Sequence, residues 1–314
     1  MIVTSILEND LYKFSMGYYY QCMYPNAVGT FTFRDRNQIK YSTSFVEELK
    51  NELKNLSKLF LQKAEFNWAV KTIPYIPQCY WEWLQGFRFE PNRIKVWLDD
   101  ESHLHIEVTD LMYRVTMYEI PILAIVSELT HEGTWLFGID NFTSRLDEKI
   151  QIAKDHNLFF AEFGMRRRYS AYVEDLVVQY LSEKCPTFVG TSTVSLAMKY
   201  NVKPIGTMAH ELFMATAALT SPKEANYIVM ENWSKLPIFK EKGLKGIYHR
   251  IVKRRIKNYL KSNFLRLQDE DFDCNIPNPK TIVNDYNYSD YTIDLRYEKG
   301  KRWGEKWKAK FSRK

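Results

Sequence analysis

Leu158-Phe159-Phe160-Ala161-Glu162-Phe163-Gly164 is an apolar run closed by a glycine, and the chain after it repeats the same logic twice. Such a run, bounded by a turn residue, reads as a buried strand. Ser170 then opens SAYVEDLVVQYLSEK, in which Val173, Leu176, Val177, Tyr180 and Leu181 share one helical face. Ser170 with Val173 and Glu174 gives only an imperfect capping signal. TFVGTS, residues 187–192, reads as a second strand and is followed by the helical TVSLAMKYN, 193–201. KPIGTMAH, 203–210, reads as a third, followed by ELFMATAAL, 211–219. Strand, polar turn and helix recurring three times predict β/α units, which build parallel sheets or barrels. Chemistry in such folds sits where strands meet the following turns, here Gly164–Arg168, Gly190–Ser192 and Gly206–His210.

Upstream the rhythm is different. Asn9 and Asp10 precede LYKFSMGYYYQCMY and Pro25 ends it, which predicts a capped helix of about four turns. VGTFTFRDR alternates Phe31 and Phe33 with polar neighbours, as a strand does. From about Thr43 to Asn67 the apolar positions Phe45, Leu49, Leu53, Leu56, Leu59 and Phe60 have helical spacing, and a short helix surrounds Trp81, Trp83 and Leu84. RIKVWLD, LHIEVTD and YRVTMYE predict three short antiparallel strands, and Pro121 stands at the expected first position of a helix through PILAIVSELTHE. The fold class is therefore α/β: an α+β N-terminal domain over 1–120, then an irregular, incomplete α/β barrel over 121–235.

With 314 residues, 45% of them hydrophobic, the chain is long enough for about two domains. No apolar run reaches the ~18–20 residues of a membrane span, and MIVTSILENDLYKF lacks the pattern of a secretion signal. The expectation is a cytoplasmic protein. Cys22, Cys79, Cys185 and Cys274 are scattered with no CxxC pair, which argues for reduced thiols over a disulfide or zinc framework. The net charge of +6 is uneven: Lys and Arg outnumber Asp and Glu two to one from Leu236 onward, while the preceding residues carry a slight acidic excess. Residues 236–314 are thus a basic tail in which the β/α rhythm stops; a basic amphipathic helix fits LKGIYHRIVKRRIKNYLKSNFLRL, and Trp303, Trp307 and Phe311 interleave with lysines near the end. A basic tail with aromatics can bind nucleic acid, but no recognisable nucleic-acid module accompanies it, and a solvated end is the commoner account of such a run.

Three arginines, Arg166, Arg167 and Arg168, follow Phe163 and Gly164 at a strand end. Guanidinium forks suit phosphate and carboxylate. Thr191 and Ser192 follow Gly190 where a helix opens, a place for backbone N–H groups to hold an anion. His210 stands in the first turn of its helix, with Glu211 beside it placed to favour the helix N-terminus. The residues alone indicate a phosphorylated small-molecule substrate and leave the reaction open.

Taken in order, ENDLYKFSM, YPNAVGTFTFRDRN, MYEIPILAIVSE, FAEFGMRRRYS and FVGTSTVSLAMKYNVKPIGTMAHE resemble nicotinate phosphoribosyltransferases over residues 1–235. The resemblance implies a type II phosphoribosyltransferase of NAD salvage, usually a homodimer with shared active sites. Such enzymes join nicotinate to 5-phosphoribosyl 1-diphosphate, with ATP hydrolysis through a phosphohistidine and with Mg²⁺ accompanying the diphosphate. By this resemblance Tyr12 matches the tyrosine that reaches the pyridine ring from the neighbouring subunit, and Phe163 the aromatic on its other face. Arg166 matches an arginine near the phosphoribosyl diphosphate, Thr207 a residue beside nicotinate, and His210 the phosphorylated histidine. Asp10, Arg167, Arg168 and Thr191 are further candidates, Arg167 and Arg168 with a structural ion pair as the competing role. Ser192 stands where the nicotinamide-using relatives have aspartate, so it implies preference for the acid over the amide.

After Asn232 the family's Leu-Thr-Asp and Arg-His-Asp-Ser-Gly-Asp strands and its Gly-rich 5′-phosphate segment are not found. A frameshift, a split gene and a replaced domain each fit that pattern. The competing functional expectation is a catalytically inactive relative serving as a partner or binding protein.

Overall fold

A computed structural model describes residues 1–35, 38–132, 142–206 and 208–236 in full, and the backbone of 291–293, 295–297 and 307–309. The expected amphipathic helix of the tail, Thr207 and Cys274 lie outside the described residues. The first helix, α1 (Leu11–Met23), is buried around most of its circumference, including Phe14, Tyr19, Tyr20 and the ammonium-bearing Lys13. An apolar helix enclosed on all sides must be wrapped by other elements. Tyr80 and Trp81 of α4 (Gln78–Gly86) meet Tyr18 and Phe14 of α1, an antiparallel sheet adds Phe31, and α2 (Thr43–Asn55) and α3 (Lys63–Thr72) join the same apolar core. The sheet orders β2 (Ile94–Leu98), β3 (Leu104–Leu111) and β1 (Val28–Phe33), with the backbone of β6 (Tyr291–Ile293) on the free edge of β1.

Two expectations fail here for local reasons. The helix expected from Thr43 to about Asn67 stops at Asn55, tightens through a 3₁₀ turn at Leu56–Lys58 and restarts at Lys63. Glu65 reaches back to the Gln62 N–H, a capping box that fixes the new start, and Phe60 in the break is 48% exposed. The expected strand YRVTMYE is helical: α5 (Met112–Val115) leads through a turn into α6 (Glu119–Thr130). Its alternation misled because Val115, Thr116, Met117 and Tyr118 are all buried, so no face is left polar. Arg114 also bonds Asp110 one helical turn back. Pro121 is consequently the third residue of α6, still within the tolerated first turn.

The β/α part is thinner than its sequence pattern. β4 (Phe160–Glu162) pairs in parallel with β5 (Phe188–Thr191), and the third unit is reduced to a single Thr191–Pro204 bridge. Proline has no N–H to extend a ladder, and Gly206 sits at φ +147°. Leu158, Phe159 and Phe163, expected in a buried strand, are 52%, 66% and 50% exposed. Between these strands, α8 (Ala171–Lys184) packs on α7 (Phe142–Asp155) through Leu146, Ile150, Leu181 and Cys185. Ser170 is a true cap of α8, its hydroxyl accepting from Val173 N at 3.2 Å. Of the expected apolar face of α8 only Leu181 is fully buried, and it shares the inside of the helix with Val178 and the acidic Glu174. After β5, α9 (Val194–Lys199) leads to α10 (His210–Leu219) and α11 (Ala225–Lys235). Trp233 of α11 stacks on Tyr19 at 5.9 Å, so α1, α10 and α11 share one core. β7 (Leu295–Tyr297) and β8 (Trp307–Ala309) pair antiparallel.

Candidate active site

The three predicted turns converge on the N-terminal end of α1. Leu11 N donates to Ser192 O at 2.8 Å, and Gly206 backs directly onto α1. A Cβ on Gly206 would lie 3.0 Å from Tyr12 N, and at its positive φ only glycine is comfortable. Gly190, at φ +140°, is held tighter: a Cβ there would overlap Lys203 O at 1.9 Å. Gly206 thus brings its turn to backbone distance from α1, and Gly190 brings β5 to backbone distance from Lys203.

Asp10 occupies the N-cap position of α1 without capping it. Its carboxylate instead accepts the Ser192 hydroxyl at 2.5 Å, and both side chains are buried. Burial raises the Asp10 pKa; the Ser192 and Tyr12 hydrogen bonds and the nearby Arg166 and Lys13 charges oppose that rise. Tyr12 is half-buried, and its phenol is raised well above its ordinary range by burial and by Asp10 and Glu119.

At the centre lies Lys13, 1% exposed, whose ammonium binds Glu119 at the start of α6 and Glu211 in the first turn of α10. Its pKa is raised: the two carboxylates outweigh the burial that lowers it. The other Glu211 oxygen accepts Thr116 Oγ1 at 2.9 Å and Tyr20 OH at 3.3 Å. The other Glu119 oxygen lies 3.6 Å from Arg166 Nη1. Glu211 is therefore turned into the core, not out along the helix axis as a first-turn acid is expected to be. His210, beside it, stays exposed. Desolvation lowers the imidazole pKa, Glu119 opposes this, and Lys13 and Arg166 add to it. A neutral ring at neutral pH follows.

The arginine triplet divides by burial. Arg166 faces the network, and Arg167 is exposed on the 3₁₀ turn Met165–Arg167. Arg168 is buried, bonding Glu8 at 2.9 Å, Glu174 at 3.2 Å and Ile2 O at 2.9 Å, with Glu128 at 3.6 Å. It is a structural ion-pair partner. Thr191 is structural too: its hydroxyl donates to Glu162 Oε2 at 2.6 Å. Nor are the N–H groups of Thr191 and Ser192 open to an anion, because both are already committed. Thr191 N bonds Lys203 O, Ser192 N bonds Glu162 O, and Thr193 N bonds Thr191 Oγ1. Thr191, Ser192 and Thr193 are fully buried.

Phe163 stands at the opening of the arginine turn and is half exposed, a free aromatic face. The sequence reading missed Lys13 and Glu119. Glu119 had a signal: it is the single acid between Met117 and Val126 in an otherwise apolar run, and an acid there must be paired when buried.

Among the described residues, no group of three or more His, Cys, Asp and Glu is gathered to hold a metal ion. The nearby carboxylates of Glu119, Glu211, Asp10 and Glu162 already accept from Lys13, Ser192 and Thr191. They do not fit a protein-held Mg²⁺. No described helix is long and apolar enough to cross a membrane.

Comparison with known proteins accounts for this arrangement. Residues 7–127 match the nicotinate phosphoribosyltransferase N-terminal domain, and residues 158–271 match the nicotinate phosphoribosyltransferase family. The second match runs past residue 235, where the motif resemblance ended, into the basic segment. A nicotinate phosphoribosyltransferase of Methanosarcina acetivorans is 34% identical over 249 residues, covering 74% of this chain and 61% of the relative. One from Chromohalobacter salexigens is 35% identical over 235 residues, covering 74% and 60%. The crystal structure of the Porphyromonas gingivalis enzyme superposes with a TM-score of 0.72 at 36% identity, over 77% of this chain and 62% of that one. The chain thus spans about three fifths of the length of these relatives. With both domain types matched in order and the fold superposed, the chain belongs to the nicotinate phosphoribosyltransferase family.

Proposed function

We propose that the protein joins nicotinate to 5-phosphoribosyl 1-diphosphate, giving nicotinate mononucleotide and pyrophosphate, with ATP hydrolysis coupled through His210. One observation carries this reading: Arg166 and His210, 44 residues apart in the sequence, are gathered around the buried Lys13–Glu119–Glu211 network. In this reading the neutral imidazole attacks the γ-phosphorus of ATP, an N–P bond forms and the P–O bond to ADP breaks. Arg166 offers its guanidinium to the diphosphate, and Tyr12 and Phe163 stack on the two faces of the pyridine ring. Mg²⁺ enters with the diphosphate. A homodimer in the cytoplasm, with Tyr12 serving the neighbouring subunit's ring, completes the proposal.

The test is incubation of the folded chain with labelled nicotinate, 5-phosphoribosyl 1-diphosphate, ATP and Mg²⁺. Nicotinate mononucleotide formed faster with ATP than without it supports the reading, and a folded protein that makes no product refutes it.

Ser192 bears on the choice between acid and amide. Ser192→Asp would set a second buried carboxylate against Asp10, and two such groups cannot both stay ionised. We expect nicotinate use to fall and nicotinamide use to rise, measured as kcat/KM for each. An unchanged KM for nicotinate would count against the assignment.

A further inference from the structure

Lys13 takes no chemical step in the reading above, yet it is the most enclosed charge in the site. Its ammonium is 1% exposed and joins three elements: its own α1, Glu119 of α6 and Glu211 of α10. The Phe31 ring lies 5.4 Å and the Tyr12 ring 5.7 Å from it. Stability is a poor explanation for such a cluster, since well-packed apolar side chains of similar volume usually do as well. Its placement is informative instead. Glu119 divides its two oxygens between Lys13 and Arg166, and Glu211 is the residue next to His210.

Lys13, Glu119, Glu211 and Arg166 together make two positive and two negative charges. Without the ammonium, Arg166 would be the sole partner of Glu119, and its fork would be drawn inward, away from an incoming anion. The groups that act on His210 are Glu119 from α6, Lys13 from α1 and Arg166 from the 3₁₀ turn, with Glu211 adjacent on its own helix. Of these, Lys13 and Arg166 favour the neutral ring and Glu119 opposes it.

We propose that Lys13 is a positioning residue of this site: its buried ammonium holds Glu119 and Glu211 and thereby leaves Arg166 free for a diphosphate-bearing substrate and His210 ready to accept a phosphoryl group. The inference rests on the activity proposed above. It makes a physical prediction that does not need turnover.

Lys13→Met alone strands two buried carboxylates, so the informative variant is Lys13→Met with Glu211→Gln, which keeps the charge balanced. It is compared with Glu211→Gln alone and with Lys13→Arg. The His210 ring is titrated by NMR in each folded protein, its resonance identified by loss in His210→Gln. Binding of 5-phosphoribosyl 1-diphosphate is measured by calorimetry. In the double variant the His210 titration moves to higher pH relative to Glu211→Gln, and 5-phosphoribosyl 1-diphosphate binds about tenfold more weakly. Lys13→Arg, which keeps the charge, retains most of both properties. A folded double variant whose His210 titration and diphosphate binding match Glu211→Gln overturns the proposal and leaves Lys13 a structural residue. If the unaltered chain makes no product but His210 still shifts as described, the activity fails while the electrostatic coupling of Lys13 to His210 stands.

Discussion

His210→Gln is expected to abolish transfer of the γ-phosphate of ATP to the protein while leaving the fold intact. The reason is geometric and electrostatic together. His210 is the first residue of α10 and its side chain is exposed, so glutamine replaces it without a cavity. Desolvation, with help from Lys13 and Arg166 and against Glu119, holds its pKa below the ordinary 6.5. Only the neutral ring carries the lone pair that attacks phosphorus. Labelling should therefore rise with pH through a midpoint below that of a free histidine and stay level near neutrality. Labelling from γ-labelled ATP is read after acid-free gel separation, because phosphohistidine is lost in acid. The label should fall by at least about a hundredfold in His210→Gln. Label retained at wild-type stoichiometry would remove His210 from the mechanism.

Arg168→Met is expected to be the most destabilising single change in the β/α part, by about 3–5 kcal/mol in urea unfolding. Arg168 is the shared cation of Glu8, Glu174 and Glu128, brought together from the N-terminus, α8 and α6. Burial pushes Glu174 up to about 7 despite the opposing Arg168 charge, with Glu162 adding to the rise. A carboxyl raised from 4.5 in the folded state stabilises fully below its unfolded pKa. That contribution is lost as pH rises through the folded one. The intact protein should accordingly lose up to about 3 kcal/mol from Glu174 between pH 4.5 and 7. Without Arg168, whose charge opposes the rise at Glu174 and Glu128, these two carboxyls are harder still to ionise, so the cost of the substitution should be larger at pH 8 than at pH 5. A cost that is small and independent of pH would show that the cluster is solvated.

Much of the N-terminal layer was legible because its signals are local. Asp10 and Pro25 bracket α1, and the alternation around Phe31 marks β1. YRVTMYE was misread because burial on every side erases the difference between period 2 and period 3.6. LFFAEFG was misread in the opposite sense. An apolar run states a preference for burial, but Leu158 and Phe159 are left more than half exposed.

The site divides along the same line. The sequence by itself determined the family, through five motifs in order, and named Tyr12, Phe163, Arg166, Ser192 and His210 as candidates. Side-chain chemistry is a property of residue type and can be read from a string of letters. Only the tertiary structure decided that Arg168 belongs to the core and Arg166 to the site, although they are two residues apart. It alone turned the Asp10 carboxylate from its helix cap to Ser192, and placed Lys13 between Glu119 and Glu211. Charges interact by distance and dielectric, and the partners of Lys13 lie 106 and 198 residues away along the chain.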